Sequence, residues 1–199
     1  MHLEFLVEEL SMRSVLDNLL PRMVINNHTY RVITYQGKTD LLRKLPSTLK
    51  AYSKWIDKDF KIIVVVDLDK DDCHKLKERI EKIAIDSNLI PKSQGIKDFN
   101  IMIRIAMKEL ESWLLGDPDA IKSAYPKIGN IKKSDKLNNP DAIDNTWEYF
   151  EKIFQSKGYF KTGLRKIEVA NNISSFMEPI KNKSKSFNVF WTGIVEILK

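Results

Sequence analysis

The sequence predicts an α/β protein in which a parallel four-stranded sheet is flanked by helices and followed by a helical C-terminal extension. Strand-like and helix-like patterns alternate over roughly the first 115 residues, as in chains whose strands are joined by helical crossovers. The stretch "KIIVVVD" at residues 61–67 is an unbroken run of branched apolar side chains. Such a run is typical of a strand buried on both faces of a parallel sheet. From about residue 117 onward the pattern is helical and carries no strand signal.

Three predicted helices join the four predicted strands, and a fourth helix follows the last strand. The strands are expected at residues 2–7, 30–35, 61–67 and 100–106. The helices are expected at residues 11–23, 39–55 and 71–88, with the fourth starting within "ELESWLL" at 109–115. Apolar residues recur in them at spacings of three and four, which is the helical period. Ser11 is the predicted N-cap of the first helix, and Pro46 is expected to kink the second.

The remainder of the chain is predicted to be helical. The segments "NPDAIDNTWEYFEKIF" and "FNVFWTGIVEILK" carry apolar side chains at helical spacing, and such a stripe usually faces a core. We expect Asp141 or Asn139 to cap the first of these two helices. The chain therefore divides into an α/β domain at residues 1–116 and a helical, basic part at residues 117–199 that packs on it.

Composition predicts a globular, cytoplasmic protein. Of the 199 residues, 43% are hydrophobic and 30% are charged, which excludes disordered and fibrous proteins. The acidic start "MHLEFLVEEL" differs from a signal peptide, and no apolar run approaches the ~20 residues needed to cross a bilayer. We therefore expect no membrane association. The single cysteine, Cys73, fits a reducing compartment.

The net charge of +6 is concentrated near the C-terminus. Residues 1–150 contain 24 Lys and Arg against 23 Asp and Glu, whereas residues 151–199 contain 9 against 4. A cationic segment suits a polyanion, so DNA or RNA is the expected partner. A lysine-rich solvated face gives the same pattern and remains an alternative. The candidate nucleic-acid-binding residues are Lys161, Arg165, Lys166, Lys183 and Lys185.

Acidic side chains follow three of the predicted strands, and ligands of open parallel sheets bind beyond the carboxyl ends of the strands. Asp67 and Asp69 lie two residues apart, so in an extended segment their carboxylates would point the same way. Glu8 follows a parallel strand that ends at the same edge. Because every donor is an oxygen, the expected ion is Mg²⁺ or Mn²⁺. The further acidic candidates are Glu9, Asp72, Glu109 and Glu111.

Some of these carboxylates have an equally simple role at the ends of helices. Asp69, Asp71 or Asp72 would cap the helix after the third strand, and Glu109 and Glu111 would complement the dipole of the fourth helix. The sequence contains neither a zinc ligand set nor a glycine-rich phosphate loop. The Gly-Lys pair in "QGKTD" is interpreted as a turn capped by Thr39.

Two short stretches, "FLVEE" and "VVVDLD", resemble the Toprim core shared by topoisomerases, bacterial primases, OLD-family nucleases and small RNA-maturation nucleases. Four further stretches are similar to those of a small uncharacterised bacterial Toprim-like family, which has an ELESW-type signature and is associated with ATPase partners in phage-defence loci. They are "QGKTDLL", "DLDKDDCHKLK", "RIAMKELESWLLGDPDAIKSAYP" and "NKSKSF". This second resemblance covers nearly the whole chain.

The resemblance implies roles for individual residues. Glu8 matches the Toprim general acid/base glutamate, and Asp67 and Asp69 match its metal-binding Asp-x-Asp pair. Asp72, Glu109 and Glu111 match acidic positions of the closer family. At Glu9, Toprim proteins commonly carry a glycine that lets the phosphate approach, so this chain adds bulk and charge there.

A function and a rival function follow from the resemblance. The first is a Mg²⁺-dependent nuclease that hydrolyses phosphodiester bonds of nucleic acid, in phage defence or in DNA or RNA processing with an ATPase partner. The alternative is a non-catalytic Toprim-like subunit that binds or regulates an ATPase complex.

Overall fold

Four parallel strands form the sheet on which the other elements pack. The computed structural model describes residues 1–24, 28–95, 98–129, 131 and 135–199. The strands are β1 (His2–Val7), β2 (Thr29–Thr34), β3 (Phe60–Asp67) and β4 (Ile101–Ala106), each within one residue of its predicted bounds. Their order is β2-β1-β3-β4, and every pairing is parallel. The predicted α/β fold class is therefore confirmed.

Strand β3 extends further than β1 at the carboxyl end of the sheet. Val7, the last residue of β1, pairs with Val65. The last pair between β3 and β4 joins Asp67 to Ala106. The end of β3 therefore projects past the end of β1. Glu8, the residue after β1, lies beside this projecting end.

The first four helices are α1 (Leu10–Leu19), α2 (Lys38–Tyr52), α3 (Cys73–Asp86) and α4 (Glu111–Leu115). The prediction that Ser11 caps α1 is wrong, because the N-cap is Glu9. Ser11 lies inside the helix, where its buried hydroxyl donates to the Glu9 carboxylate. Pro46 lies within α2, which continues to Tyr52.

The apolar run of β3 supplies both faces of the sheet with core residues. Ile62, Val64 and Val66 pack on the face that α2 and α3 cover. Ile63 and Val65 pack on the opposite face, together with α1 and the C-terminal helices. Successive strand residues point to opposite faces, so this strand needs apolar side chains throughout.

The C-terminal helices are α5 (Pro118–Ala124), α6 (Thr146–Ser156), α7 (Lys166–Ser174) and α8 (Lys185–Ile197). They share one core with the sheet: the Phe190 ring lies 6.5 Å from that of Phe5 and 5.0 Å from that of Trp113. The Arg22 guanidinium also donates to the Met177 and Ser174 carbonyls, at 2.7 and 2.9 Å. No helix in the described part of the chain has the length and apolar character needed to cross a bilayer.

A buried polar network joins α4 to the start of α8. Asn182 Nδ2 donates to the Trp113 carbonyl at 2.8 Å, and Asn182 Oδ1 accepts the Ser184 N–H at 2.9 Å. The Trp113 indole N–H donates to Ser186 Oγ at 2.9 Å. Asp141 does not cap α6, which begins several residues later. Its carboxylate accepts the Ser184 hydroxyl at 2.6 Å and the Ser186 N–H at 2.7 Å.

Contacts at the same junction explain the glycine at position 116 and the alternating residues of "NKSKSF". The Lys183 N–H donates to the Gly116 carbonyl at 2.9 Å, and a Cβ on residue 116 would overlap Asn182 Oδ1. In "NKSKSF" the buried Asn and Ser side chains alternate with the exposed Lys183 and Lys185. The polar residues of this motif therefore hold the fold, while its lysines reach solvent.

We predict that Asn182→Ala lowers the free energy of unfolding by about 2–3 kcal/mol, because it leaves the Trp113 carbonyl and the Ser184 N–H buried without partners. Urea unfolding followed by tryptophan fluorescence measures this loss. The control, Lys183→Ala, removes an exposed side chain one residue away and should change the free energy by less than about 0.5 kcal/mol. Equal effects of the two substitutions would contradict the structural role of the network.

Candidate functional site

Three carboxylates meet beyond the carboxyl ends of β1, β3 and β4. Asp67, the last residue of β3, is 8% exposed, and Glu111, the first residue of α4, is 4% exposed. Glu8 follows β1, and its Oε2 accepts the Asp67 N–H at 3.2 Å. Within the described residues, Asp67 Oδ1 is buried and has no hydrogen-bond partner. Asp67 is therefore a buried carboxylate on which the negative charges of Glu111 and Glu8 both act.

Burial raises the pKa values of all three carboxyl groups, Glu8, Asp67 and Glu111. Burial raises the pKa of Asp67 well above its ordinary value of 3.8, and the neighbouring Glu111 and Glu8 raise it further. Burial raises the pKa of Glu111 from 4.5 to about 7, against the opposing charge of Lys166. Burial also raises the pKa of Glu8, although the Asp67 N–H and the charge of Lys38 oppose it. A cation placed among these oxygens would relieve all three shifts.

Asp69 does not extend the strand alternation that its spacing from Asp67 suggested. Strand β3 ends at Asp67, and Asp69 has a left-handed backbone with φ of 51°. Its carboxylate forms an ion pair with Lys38, whose Nζ lies 2.6 Å from Asp69 Oδ2 and 2.9 Å from Asp71 Oδ2. Burial lowers the pKa of Lys38, but its bonds to these two aspartates outweigh that effect and leave the pKa raised.

Sequence reasoning missed Lys38. The interpretation of "QGKTD" as a turn capped by Thr39 is wrong, because Lys38 and Thr39 are already helical and the N-cap of α2 is Gly37, with φ of 87°. The Gly37 N–H donates to the Glu8 carbonyl at 3.0 Å, which fixes the start of α2 beside the end of β1. A usable signal was present: Lys38 follows β2 and so lies at the same sheet edge as the acidic residues.

Lys166, the first residue of α7, approaches the carboxylates from the C-terminal part. Its Nζ lies 4.4 Å from the centre of the Trp147 ring. Burial lowers the pKa of Lys166, but Glu111, Glu9 and Glu109 more than offset this and leave the pKa raised. Lys38 and Lys166 thus provide positive charge on two sides of the cluster.

The remaining acidic candidates have hydrogen-bonding tasks in the fold. The Glu9 carboxylate accepts the Ser11 hydroxyl. Glu109 Oε2 accepts the Trp147 N–H at 2.7 Å, in the first turn of α6. Asp72 is the N-cap of α3, as one of the two predicted roles requires. Glu9 and Glu109 still contribute to the field at Lys166, whereas the exposed Asp72 bonds to its own helix.

The other predicted nucleic-acid-binding residues are exposed and more dispersed. Lys161 and Lys185 are exposed. Arg165 pairs with Glu168 at 3.2 Å, and Lys183 Nζ donates to Asn138 Oδ1 at 3.4 Å. Lys166 is the member of the predicted set that the structure brings to the carboxylates.

The donor set fits a hard divalent cation. All the converging groups are carboxylates, and Asp67 Oδ1 is an orphaned buried acceptor, so Mg²⁺ or Mn²⁺ would supply the missing partner. Asp67 and Glu111, with Glu8 beside them, are the residues that would hold it. Over the described ranges, no group of three or more His, Cys, Asp or Glu side chains is arranged so that it could hold a metal ion as it stands.

Residues 7–195 match the model of a family described as "Domain of unknown function (DUF4276)". The searches of curated proteins and of solved structures each returned no match.

We predict that Glu111→Gln makes the metal-free protein more stable at alkaline pH. Glu111 keeps its proton up to about pH 7 in the folded state but only to about 4.5 when unfolded. The folded state therefore binds more protons between these values, and stability falls as pH rises from about 4.5 to about 7. Glutamine removes this loss, so the variant should gain on the order of 2 kcal/mol at about pH 8 and little at about pH 4.

Urea unfolding in EDTA at several pH values measures the difference between variant and wild type. Glu78→Gln, which changes an exposed carboxylate on α3, is the matched control and should follow the wild type. If the Glu111→Gln curve ran parallel to that of the wild type, the buried, proton-retaining state of Glu111 would be ruled out.

Proposed function

The chain belongs to the DUF4276 family, and we propose that it is a phosphodiester hydrolase that acts on nucleic acid and depends on Mg²⁺ or Mn²⁺. One observation carries the proposal: Asp67 is buried under the negative charges of Glu111 and Glu8, and its Oδ1 has no partner in the described part of the chain. An unpaired buried carboxylate destabilises a fold, and a divalent cation supplies the charge that this one lacks.

The positions of Glu8, Asp67 and Glu111 indicate their chemical roles. When bound, the cation neutralises charge on the scissile phosphate. Asp67 and Glu111 would hold it, and Glu8 would act as the general acid/base. The Asp67 N–H fixes Glu8 Oε2, which leaves Oε1 to take a proton from water or return one to the leaving oxygen. The raised pKa of Glu8 brings it closer to neutral pH, where proton transfer in both directions is efficient.

Nucleic acid is the favoured substrate class because cations border the carboxylates on the C-terminal side. Lys166 lies beside the acidic cluster and over the Trp147 ring. The surplus of positive charge in residues 151–199 suits a polyanion that runs past the site. The exposed Lys161, Lys183 and Lys185 would contact backbone phosphates further from the reacting bond.

The proposal agrees with the Toprim resemblance. A parallel sheet with Glu8 after one strand and Asp67 at the end of its neighbour supports that relationship. An ATPase partner and a role in phage defence rest on the resemblance alone. A cytoplasmic location is inferred from the single cysteine.

A second candidate function is a non-catalytic module that binds nucleic acid or a partner ATPase. The observation that favours it is the engagement of Asp69, which an active Asp-x-Asp pair would use for metal, with Lys38 at 2.6 Å. Glu9, in place of the usual glycine, adds a further negative charge beside the site.

We predict that Asp67→Asn and Glu8→Gln each reduce Mg²⁺- or Mn²⁺-dependent cleavage of nucleic acid by at least about 100-fold. Asp67→Asn should not lower the thermal unfolding midpoint, because it removes a buried charge that has no partner. Plasmid, single-stranded DNA and RNA are incubated with each variant, and the unfolding midpoints are measured in parallel.

The matched control is Asp86→Asn, which makes the same chemical change at an exposed position at the far end of α3 and should retain wild-type cleavage. Undiminished cleavage in Asp67→Asn would exclude the proposed metal position. A wild type that cleaves none of the three substrates, yet retains them in a filter-binding assay, would favour the non-catalytic candidate.

A further inference from the structure

The Lys38 ammonium occupies a three-oxygen site in the loop between β3 and α3. Its Nζ lies 2.6 Å from Asp69 Oδ2, 2.9 Å from Asp71 Oδ2 and 3.2 Å from the Leu68 carbonyl. An ammonium has three hydrogens to donate, so these three acceptors use all of them. Lys38 is 13% exposed, whereas the two aspartates are about half exposed.

The backbone on both sides holds this site in shape. On the lysine side, the Gly37 N–H donates to the Glu8 carbonyl at 3.0 Å. On the loop side, the Asp71 N–H donates to the Leu68 carbonyl at 3.0 Å, and the Asp69 N–H donates to the Lys108 carbonyl at 2.6 Å. The left-handed backbone of Asp69 turns its carboxylate toward the lysine. The oxygens are therefore positioned by the fold.

Two carboxylates and a backbone carbonyl are the kind of donors that a hard divalent cation takes. The site adjoins the acidic cluster, because Asp69 follows Asp67 by two residues and the charges of Lys38 and Asp69 both act on Glu8. Two adjacent cation positions are a common arrangement in enzymes that hydrolyse phosphodiesters. Here a side-chain ammonium fills the three-oxygen site beside the acidic cluster.

We propose that Lys38 is the resident cation of this second position, so that the chain binds a single divalent metal ion, at Asp67. The inference rests on the proposed function, since it assumes that the Asp67 position takes a metal. It makes Lys38 a specificity-determining residue that sets the number of ions bound. A phosphate-binding role for Lys38 is less suitable, because a phosphate would have to displace one of its three acceptors.

The test is the number of Mn²⁺ ions bound per chain, counted by electron paramagnetic resonance of the free ion. Wild type should bind one ion and Asp67→Asn none. Lys38→Met removes the ammonium but keeps the length of the side chain, and it should bind a second ion at least about tenfold more tightly than any further site in the wild type. Lys38→Arg, which keeps the charge, should bind one.

Two further variants separate the proposal from general effects of charge or folding. Lys44→Met removes an exposed lysine of the same helix that pairs with Asp40, and it should bind one ion. Asp69→Asn in the wild-type background should also bind one ion, because Asp69 serves Lys38 and not the metal. Circular dichroism verifies that each variant is folded, and anomalous scattering from Mn²⁺-soaked Lys38→Met crystals should place the added ion beside Asp69 and Asp71.

The outcomes are distinguishable. One ion in both wild type and Lys38→Met, with equal affinity, overturns the assignment of Lys38 and leaves the proposed function standing. Two ions bound by the wild type would also overturn the assignment of Lys38 and leave the proposed function standing. No Mn²⁺ bound by either protein overturns the proposed function and the role of Lys38 together.

Discussion

The pairing of β3 on both sides determines the electrostatics of the acidic cluster. Because β3 lies between β1 and β4 and projects past the end of β1, its last side chain, Asp67, is surrounded by protein. A carboxylate in that place loses its hydration and raises its pKa unless a cation approaches. The compensating charges come from Lys38 at the start of α2 and Lys166 at the start of α7. The end of the sheet buries negative charge, and lysines at the starts of two helices distant in sequence offset part of that charge.

The buried carboxylates lower the stability of the folded state, and neutral side chains at the same positions would raise it. The core beneath the site is apolar and closely packed, and an Asn or Gln at the buried acidic positions would remove their unfavourable charge. Proteins retain such local conflicts chiefly at functional sites. The buried carboxylates therefore differ from Asp72, whose cap of α3 stabilises the fold directly.

The four parallel strands and the proximity of Glu8 to Asp67 could be predicted from the sequence, because they depend on apolar periodicity and on where strands end. The direction of Asp69 could not be predicted, since it depends on a left-handed residue other than glycine. The engagement of Lys38 and of Glu109 joins residues more than 30 positions apart, and local patterns carry no information about such contacts. Likewise, composition indicated a basic tail but not that Lys166 faces the acids.

The C-terminal helices belong to the site as well as to the core. Glu109, just after β4, accepts an N–H from the first turn of α6, and the Trp147 ring of that helix lies under Lys166. The polar network around Asn182 fixes α8 on α4, directly after Glu111. A shift of the helical part would therefore move Lys166 relative to Asp67 and break the bond between Trp147 and Glu109.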